Sequence, residues 1–285
     1  MENLVQSHSN SLEYKKRQIK IWNEIAPRYH KRWAREDIGA FQSTAKLITM
    51  ARLEGGNRVL DLACGTGAVT KKIMKKIGKT GHVVGVDSSL AAVKIAKKWA
   101  ASKNVDFVVS DVENLGFNEK FDVITCQYAL FFFPSAAQVL RNVKCYLKRK
   151  GLLALSVHGA GNSVPYFNSI FDVVTKFIPD YLPSGTPDVD RFGTKTRLKK
   201  TVKAAGFTNI VIKEFIFSYS PGTFSKYWND YIKYLARPLR EKIDKLSYTK
   251  QNQIRDQIRQ KTLHYTKNGK IVFPWKVLVL TARKP

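Results

Sequence analysis

The sequence predicts an α/β fold built on a doubly wound, mostly parallel sheet. Three observations carry that expectation: five short apolar runs recur between residues 58 and 158, segments with helical periodicity separate them, and the runs are apolar throughout instead of alternating. Strands read this way when helices cover both faces of a parallel sheet.

The first run, RVLDLA, begins at residue 58 and is followed by a glycine turn and a lysine-rich helix from about Ala68 to Ile77. HVVGVD (82–87) is the second strand, and after it Leu90, Val93, Ile95, Ala96 and Trp99 approximate helical spacing. NVDFVVSD (104–111) gives a third strand, FDVITC (121–126) a fourth, the segment after Pro134 a helix, and GLLALSVH (151–158) a fifth. The pattern then changes. Residues 159–193 hold Gly159, Gly161, Pro165, Pro179, Pro183, Gly185 and Pro187 around a short helix expected at 166–178. A basic helix (about 194–204) and NIVIKEFIF (209–217) resume the sheet, 221–265 is a polar, Tyr- and Lys-rich helical stretch, and FPWKVLVLTARK (273–284) is the last strand. Residues 11–53 are helical and aromatic, with Trp22, Tyr29, Trp33 and Phe41. A single domain over 1–285 is expected, divided into an N-terminal helical cap (1–53), a cofactor-binding core (54–158) and lid or substrate insertions at 159–193 and 221–265.

The 49 Lys and Arg against 22 Asp and Glu leave a net charge of +27. Such a field attracts polyanions, so nucleic acid, an anionic membrane surface or an acidic substrate could each exploit it, although the lysines are scattered along the chain. Cys64, Cys126 and Cys145 have neither zinc-ligand nor disulfide spacing, so no metal site is expected and a reducing compartment is the simple inference. With no signal-peptide run at its start and no apolar stretch near the length of a membrane span, the chain is expected to be cytoplasmic. Its oligomeric state is not readable.

Ligands bind an open parallel sheet outside the carboxyl ends of its strands. In Asp61-Leu62-Ala63-Cys64-Gly65-Thr66-Gly67 the small residues let backbone come close to a ligand, and Gly65 and Gly67 tolerate angles other residues resist. The helix beyond Gly67 offers free N–H groups to a carboxylate, and Asp61 can receive a cationic amino group. Asp87 ends the second strand 20 positions after Gly67, placed to accept ribose hydroxyls; Asp111 would reach an adenine amino group, with the Val112 backbone beside it. Three strand tips thus converge on one nucleoside.

RVLDLACGTGAVT, VVGVDSS, VVSDVENLGF and FDVITCQYALFFFP resemble the successive motifs of class I S-adenosylmethionine-dependent methyltransferases, over roughly residues 20–160. Within that class the chain is most similar to the ubiquinone and menaquinone biosynthesis group, whose N-terminal helix carries an Ile-Ala-x-x-Tyr segment like Ile25-Ala26-Pro27-Arg28-Tyr29. The resemblance implies a Rossmann-like seven-stranded sheet with the last strand antiparallel, S-adenosyl-L-methionine as cofactor and S-adenosyl-L-homocysteine as product. It implies Asp61, Ala63, Gly65 and Gly67 around the methionine part, Asp87 at the ribose, Asp111 at the adenine and Gln127 beside the sulfonium, with Cys64, Thr66, Ser88 and Val112 also at the cofactor and Tyr29 as a cover. Ala63 departs from the family pattern, which has glycine there. A nicotinamide cofactor shares the fold and the ribose carboxylate, but the Cys-Gly-Thr-Gly loop favours the methyl donor by resemblance.

Methyl transfer from a sulfonium is an in-line displacement that needs alignment and exclusion of water more than acid–base chemistry. Where the acceptor must lose a proton, the candidate bases are His158, Tyr128 and Tyr29, with His30 beside the last. A small-molecule acceptor pocket is expected from Tyr29, Trp33, Tyr128, Phe131 to Phe133, His158, Tyr166, Phe167, Tyr181, Tyr227, Trp228 and Tyr231, a lining that suits an apolar or planar molecule. The three phenylalanines equally suit packing of a helix on the sheet. The rival readings are RNA or tRNA methylation through the basic surface, which lacks the Asn/Asp-Pro-Pro-aromatic motif after the fourth strand, and a non-catalytic cofactor-binding partner subunit.

Overall fold

The structure, a computed structural model, describes residues 2–179, 181, 186–232 and 237–285; Pro183 and Gly185 of the expected lid lie outside the described residues. Helix α1 (Glu2–Tyr29) leads through a π-helical turn, His30–Ala34, to α2 (Thr44–Met50). Then β1 (Arg58–Leu62), α3 (Ala68–Ile77), β2 (His82–Asp87), α4 (Leu90–Trp99), β3 (Val105–Val109), β4 (Phe121–Gln127), α5 (Ala136–Tyr146) and β5 (Leu147–His158) alternate as the sequence predicts. Helices α6 (Pro165–Phe177) and α7 (Lys195–Ala204) precede β6 (Thr208–Gly222), and α8 (Phe224–Asp230), α9 (Arg237–Ile243) and α10 (Tyr248–Leu263) precede the short β7 (Thr266–Lys267) and β8 (Lys270–Arg283).

The strand order is β3-β2-β1-β4-β5-β8-β6, with β7 paired to β8. Strands β1 to β5 are mutually parallel, and β8 runs antiparallel between β5 and β6. The order turns around between β1 and β4, where connections leave toward opposite faces and a crevice opens at the strand tips. The two-residue β7 is an addition to the seven strands expected. β6 is 15 residues long, beyond the predicted 209–217, because it follows β8 to Gly222↔Ile271.

Side chains alternate across each strand, so the sheet separates two cores. Val59, Val83 and Val123 face α2, α3, α6 and the C-terminal helices; Leu60, Val84 and Ile124 face α5 and α7. The first core is aromatic where it nears the strand tips. Trp275, only 1% exposed, lies within 6.1 Å of the Trp33, Tyr166, Phe167 and Tyr219 rings. Tyr227 donates its hydroxyl hydrogen to the Tyr166 carbonyl at 2.5 Å. Ile254 and Ile258 of α10 are fully buried against this core, so the stretch that reads as polar carries a narrow apolar stripe. Among the described residues no helix is long and apolar enough to cross a membrane.

Truncating Trp275 to alanine removes the largest fully buried side chain, and urea denaturation of that variant is expected to show a loss of about 3–5 kcal/mol; a loss below about 1 kcal/mol would mean this cluster is not what holds β8 to the helices.

Candidate functional site

The loop leaving β1 is shaped by three left-handed residues in alternation: Ala63 at φ 50°, Gly65 at 55° and Gly67 at 83°. They do different work. A side-chain carbon at Gly65 would meet nothing within 4 Å, because Gly65 borders a cavity, whereas one at Gly67 would press on Ala96 of α4 at 3.2 Å and on Ala100 at the helix's end at 3.3 Å. Gly67 caps α3 and lets α4 pack closely; it does not line the cavity. Ala63 does line it, in a conformation that an alanine adopts at a cost of about 1 kcal/mol or more.

The cavity lies over the tips of β1, β2 and β4 and is lined by Asp61, Asp87, Asp111 and Glu113. Ala63, Cys64, Gly65, Thr66, Ser88, Val112, Gln127, Tyr128 and Tyr29 line it too. Asp87 crosses from β2 to the loop, where Oδ2 accepts from the Gly65 amide at 2.8 Å while Oδ1 accepts from Ser89 N at 2.8 Å. Each oxygen retains a lone pair for a ligand hydroxyl. Burial raises the Asp87 carboxyl above the usual carboxylate range, against the pull of those two amides. Asp61 is 1% exposed and held between hydroxyls, with Thr70 Oγ1 donating to Oδ2 at 2.6 Å and Thr125 Oγ1 to Oδ1 at 2.7 Å. Burial pushes it up to about 6 in spite of both. Thr66 meets His30 Nδ1 at 2.8 Å, which ties the loop to the π-helical turn. Gln127 donates to Thr44 Oγ1 at 3.0 Å, and its Oε1 is buried without a partner.

Four carboxyl side chains around one cavity, in a chain of net charge +27, make a local environment opposite to that of the rest of the surface. It favours a cationic ligand and disfavours a pyrophosphate. The unpartnered Gln127 oxygen offers an acceptor to a donor on the ligand. The residues present therefore fit an adenosyl group with an ammonium and a sulfonium better than a nicotinamide dinucleotide.

Helix α1 forms the roof. Tyr14, Gln18, Trp22 and Tyr29 repeat at helical spacing and face the cavity, and Lys15 Nζ contacts Asp111 Oδ2 at 2.8 Å and also Glu113. Asn23 Oδ1 accepts from Ser89 Oγ and Ala91 N at 2.9 and 3.0 Å, fastening α1 to the start of α4. Asp111, expected at the adenine, thus already holds a cation from a segment 96 residues away. The periodic stripe on α1 is a signal the sequence carries; the Lys15 pairing is not.

A second cavity adjoins the first and shares Tyr14, Gln18, Trp22, Tyr29, Tyr128 and Phe132 with it. Its remaining lining is mostly apolar and aromatic, including Trp33, Phe131, Phe167, Tyr181, Tyr231 and Trp275, and His158 lines it too. Phe131 to Phe133 all line one cavity or the other. Tyr166, Tyr227 and Trp228, expected here, line neither; Tyr166 and Tyr227 are core residues. Tyr128 stands between the two cavities with φ 54°, a strained backbone for a residue with a bulky side chain, and burial raises its phenol far above the ordinary range. Burial likewise raises Tyr29. His158 is lowered to about 4 by burial and so is neutral at pH 7. Cys126 is buried in β4.

Residues 53–204 match the family model described as a methyltransferase domain. A demethylmenaquinone methyltransferase of Staphylococcus saprophyticus is 25% identical over 209 residues, spanning 68% of this chain and 84% of the relative. A solved methyltransferase candidate from Bacillus halodurans superposes with a TM-score of 0.59 at 23% identity over 86% of this chain and 99% of that one. Haemonchus contortus phosphoethanolamine N-methyltransferase 2, solved with S-adenosyl-L-methionine, superposes at 0.52 and 16% identity over 86% of this chain and 52% of that one. Both structural likenesses speak for the fold.

Two measurements check the local energetics. Ala63→Gly relieves the left-handed strain and is expected to stabilise the ligand-free protein by up to about 1 kcal/mol in urea denaturation, where a destabilisation would contradict the assigned backbone. Because the folded Asp61 carboxyl titrates above its unfolded value, its contribution is present below about pH 4 and lost as pH rises through about 6. Relative to Asp61→Asn, the wild type should therefore lose on the order of 3 kcal/mol between pH 4 and 7.5; a pH-independent difference would contradict this.

Proposed function

The chain belongs to the methyltransferase domain family, and from that premise we propose that it holds S-adenosyl-L-methionine in the carboxylate-lined cavity and methylates an apolar, aromatic small molecule held in the adjoining one. Bound there, the cofactor supplies an electrophilic methyl carbon on sulfur and leaves as S-adenosyl-L-homocysteine. The observation that carries the reading is the shared wall: an acid-lined site for a cation opens beside an aromatic one, with Tyr29, Tyr128 and Phe132 belonging to both.

In this reading Asp87 accepts the ribose hydroxyls with the lone pairs its two backbone bonds leave free. Asp61 and Gln127 Oε1 face the ammonium and sulfonium end, and the ligand's positive charge offsets the cost of the buried Asp61 carboxylate. The adenine amino group and Lys15 compete for Asp111, so the nucleoside seats with a rearrangement of α1 or shares the carboxylate with it. The aromatic walls align a planar acceptor and exclude water, which is where an in-line displacement gains most of its rate. His158, neutral and lining the acceptor cavity, is the proton acceptor. The demethylmenaquinone methyltransferase similarity supports an aromatic ring acceptor, and a demethylated menaquinol is the first to try.

Calorimetric titration with S-adenosyl-L-homocysteine, followed by transfer of labelled methyl to a short-chain demethylmenaquinol, tests both halves. Asp87→Ala is expected to weaken cofactor binding at least 10-fold with an unchanged circular dichroism spectrum; unchanged affinity would contradict the ribose assignment. Label appearing in an RNA fraction and not in small molecules would contradict the acceptor class.

A further inference from the structure

We propose that Asp190, in the loop before α7, is a positioning residue that holds the His158 imidazole with Nδ1 toward its own carboxylate and Nε2 toward the acceptor cavity. The catalytic half of this proposal rests on the transfer reading above; the structural half does not.

Asp190 Oδ1 lies 3.7 Å from His158 Nδ1, and the Gly159 carbonyl oxygen lies 3.3 Å from the same nitrogen. Both neighbours are acceptors, so Nδ1 carries the hydrogen and Nε2 is left with a lone pair. The carboxylate distance is longer than a hydrogen bond, and catalytic bonds of this kind commonly tighten when substrate binds and the ring turns. The Phe131 ring stands against the imidazole, centroid to centroid at 4.6 Å, which limits the rotation.

The loop that delivers Asp190 is firmly built. Asp190 Oδ2 accepts from Gly161 N at 2.8 Å, Asp190 N donates to Asp188 Oδ1 at 2.8 Å, and Gly193 N donates to the Asp190 carbonyl at 2.9 Å. Ala160 N then donates to the Gly193 carbonyl at 3.0 Å. The approach is so close that a side-chain carbon at Gly193 would overlap the Ala160 backbone. Next in sequence, Arg191 donates to the Phe131 carbonyl at 3.1 Å and to the Phe133 carbonyl, and packs over the Phe192 ring. One short loop therefore places Asp190 beside the histidine and holds the aromatic turn after β4 through Arg191.

The other charged groups near the pair leave the imidazole to Asp190. Lys276 on β8, beside Gly159, turns its Nζ to Glu214 at 3.3 Å, and Asp188, Arg197 and Asp172 act on Asp190. The Tyr128 hydroxyl shares the cavity but is held by burial in its neutral form. In the transfer, the proton leaves the acceptor for Nε2, the electron pair it leaves behind forms the bond to the methyl carbon, and the pair of the breaking carbon–sulfur bond stays on sulfur. The imidazolium so formed faces the Asp190 carboxylate, which stabilises it at the moment it appears.

The test uses the full chain in two arms. Nitrogen-15 NMR of labelled histidine at pH 7 should show His158 as the Nδ1–H tautomer. In Asp190→Asn the side-chain carbonyl keeps the Gly161 amide and the NH2 faces Nδ1, so the population should shift toward Nε2–H; Asp190→Glu should retain Nδ1–H. An unshifted tautomer in Asp190→Asn would overturn the positioning role whether or not methyl transfer is the chain's activity. In the second arm, transfer from S-adenosyl-L-methionine to a short-chain demethylmenaquinol should fall on the order of 10- to 100-fold in kcat in Asp190→Asn, with cofactor affinity unchanged. His158→Gln/Asp190→Asn should then be no slower than His158→Gln alone. Losses that multiply, or a wild-type kcat in Asp190→Asn, would overturn the claim that Asp190 acts through His158.

Discussion

The hydrogen bond from the Gly65 amide to Asp87 is the contact on which the cofactor cavity depends, because it ties the end of β2 to the turn that follows β1. It fixes the loop in its left-handed path and brings a carboxylate to the cavity wall at the same time. The adjacent Asp61 is held by Thr70 of α3 and Thr125 of β4, so three neighbouring strands and one helix are joined through two acids. Burial raises both carboxyls, with the nearby Asp87 adding to the rise at Asp61, and the molecule keeps them at a cost in stability. A bound cation offsets that cost, which is why the arrangement is better understood as a binding site than as a device for folding.

The surroundings divide the labour around this junction. The sheet provides rigid tips, α1 provides a roof with an aromatic stripe, and segments after β5 line the adjoining aromatic cavity. Lys15 closing on Asp111 and Glu113 shows that the roof is electrostatically matched to the acids it covers. If, as proposed, the adenine is bound at Asp111, a nucleoside and the roof use one carboxylate, and cofactor entry is coupled to the seating of α1. Tyr128 stands at the boundary in a strained conformation that the Tyr128 N to Ser156 carbonyl bond helps to impose.

The central fold was legible because it is encoded locally: apolar runs at strand length, a glycine turn, and an acid at the end of the next strand are all contiguous signals. For the same reason the sequence pointed to Asp61, Ala63, Gly65 and Asp87. Gly67 shows the limit of that reasoning, since the sequence cannot say whether a glycine faces a ligand or a neighbouring helix, and here it faces α4. Aromatic residues were harder still. Tyr166, Tyr227 and Tyr231 are alike in sequence and all pack in one core, yet only Tyr231 of the three also borders a cavity, as the partly buried Phe167 does. Lys15 with Asp111 and Asp190 with His158 arise from chain segments brought together only by tertiary packing, and no spacing rule anticipates them.

The position of an adenosyl ligand is the most direct test of the carboxylate-lined cavity. A crystal structure of the full chain with S-adenosyl-L-homocysteine should place the ribose hydroxyls on Asp87, the amino end by Asp61 and Gln127, and the adenine at Asp111 with Lys15 displaced from its present position or sharing the carboxylate. A nucleoside bound away from the β1 and β2 tips, or a cavity that stays closed to the ligand under saturating concentrations, would contradict it.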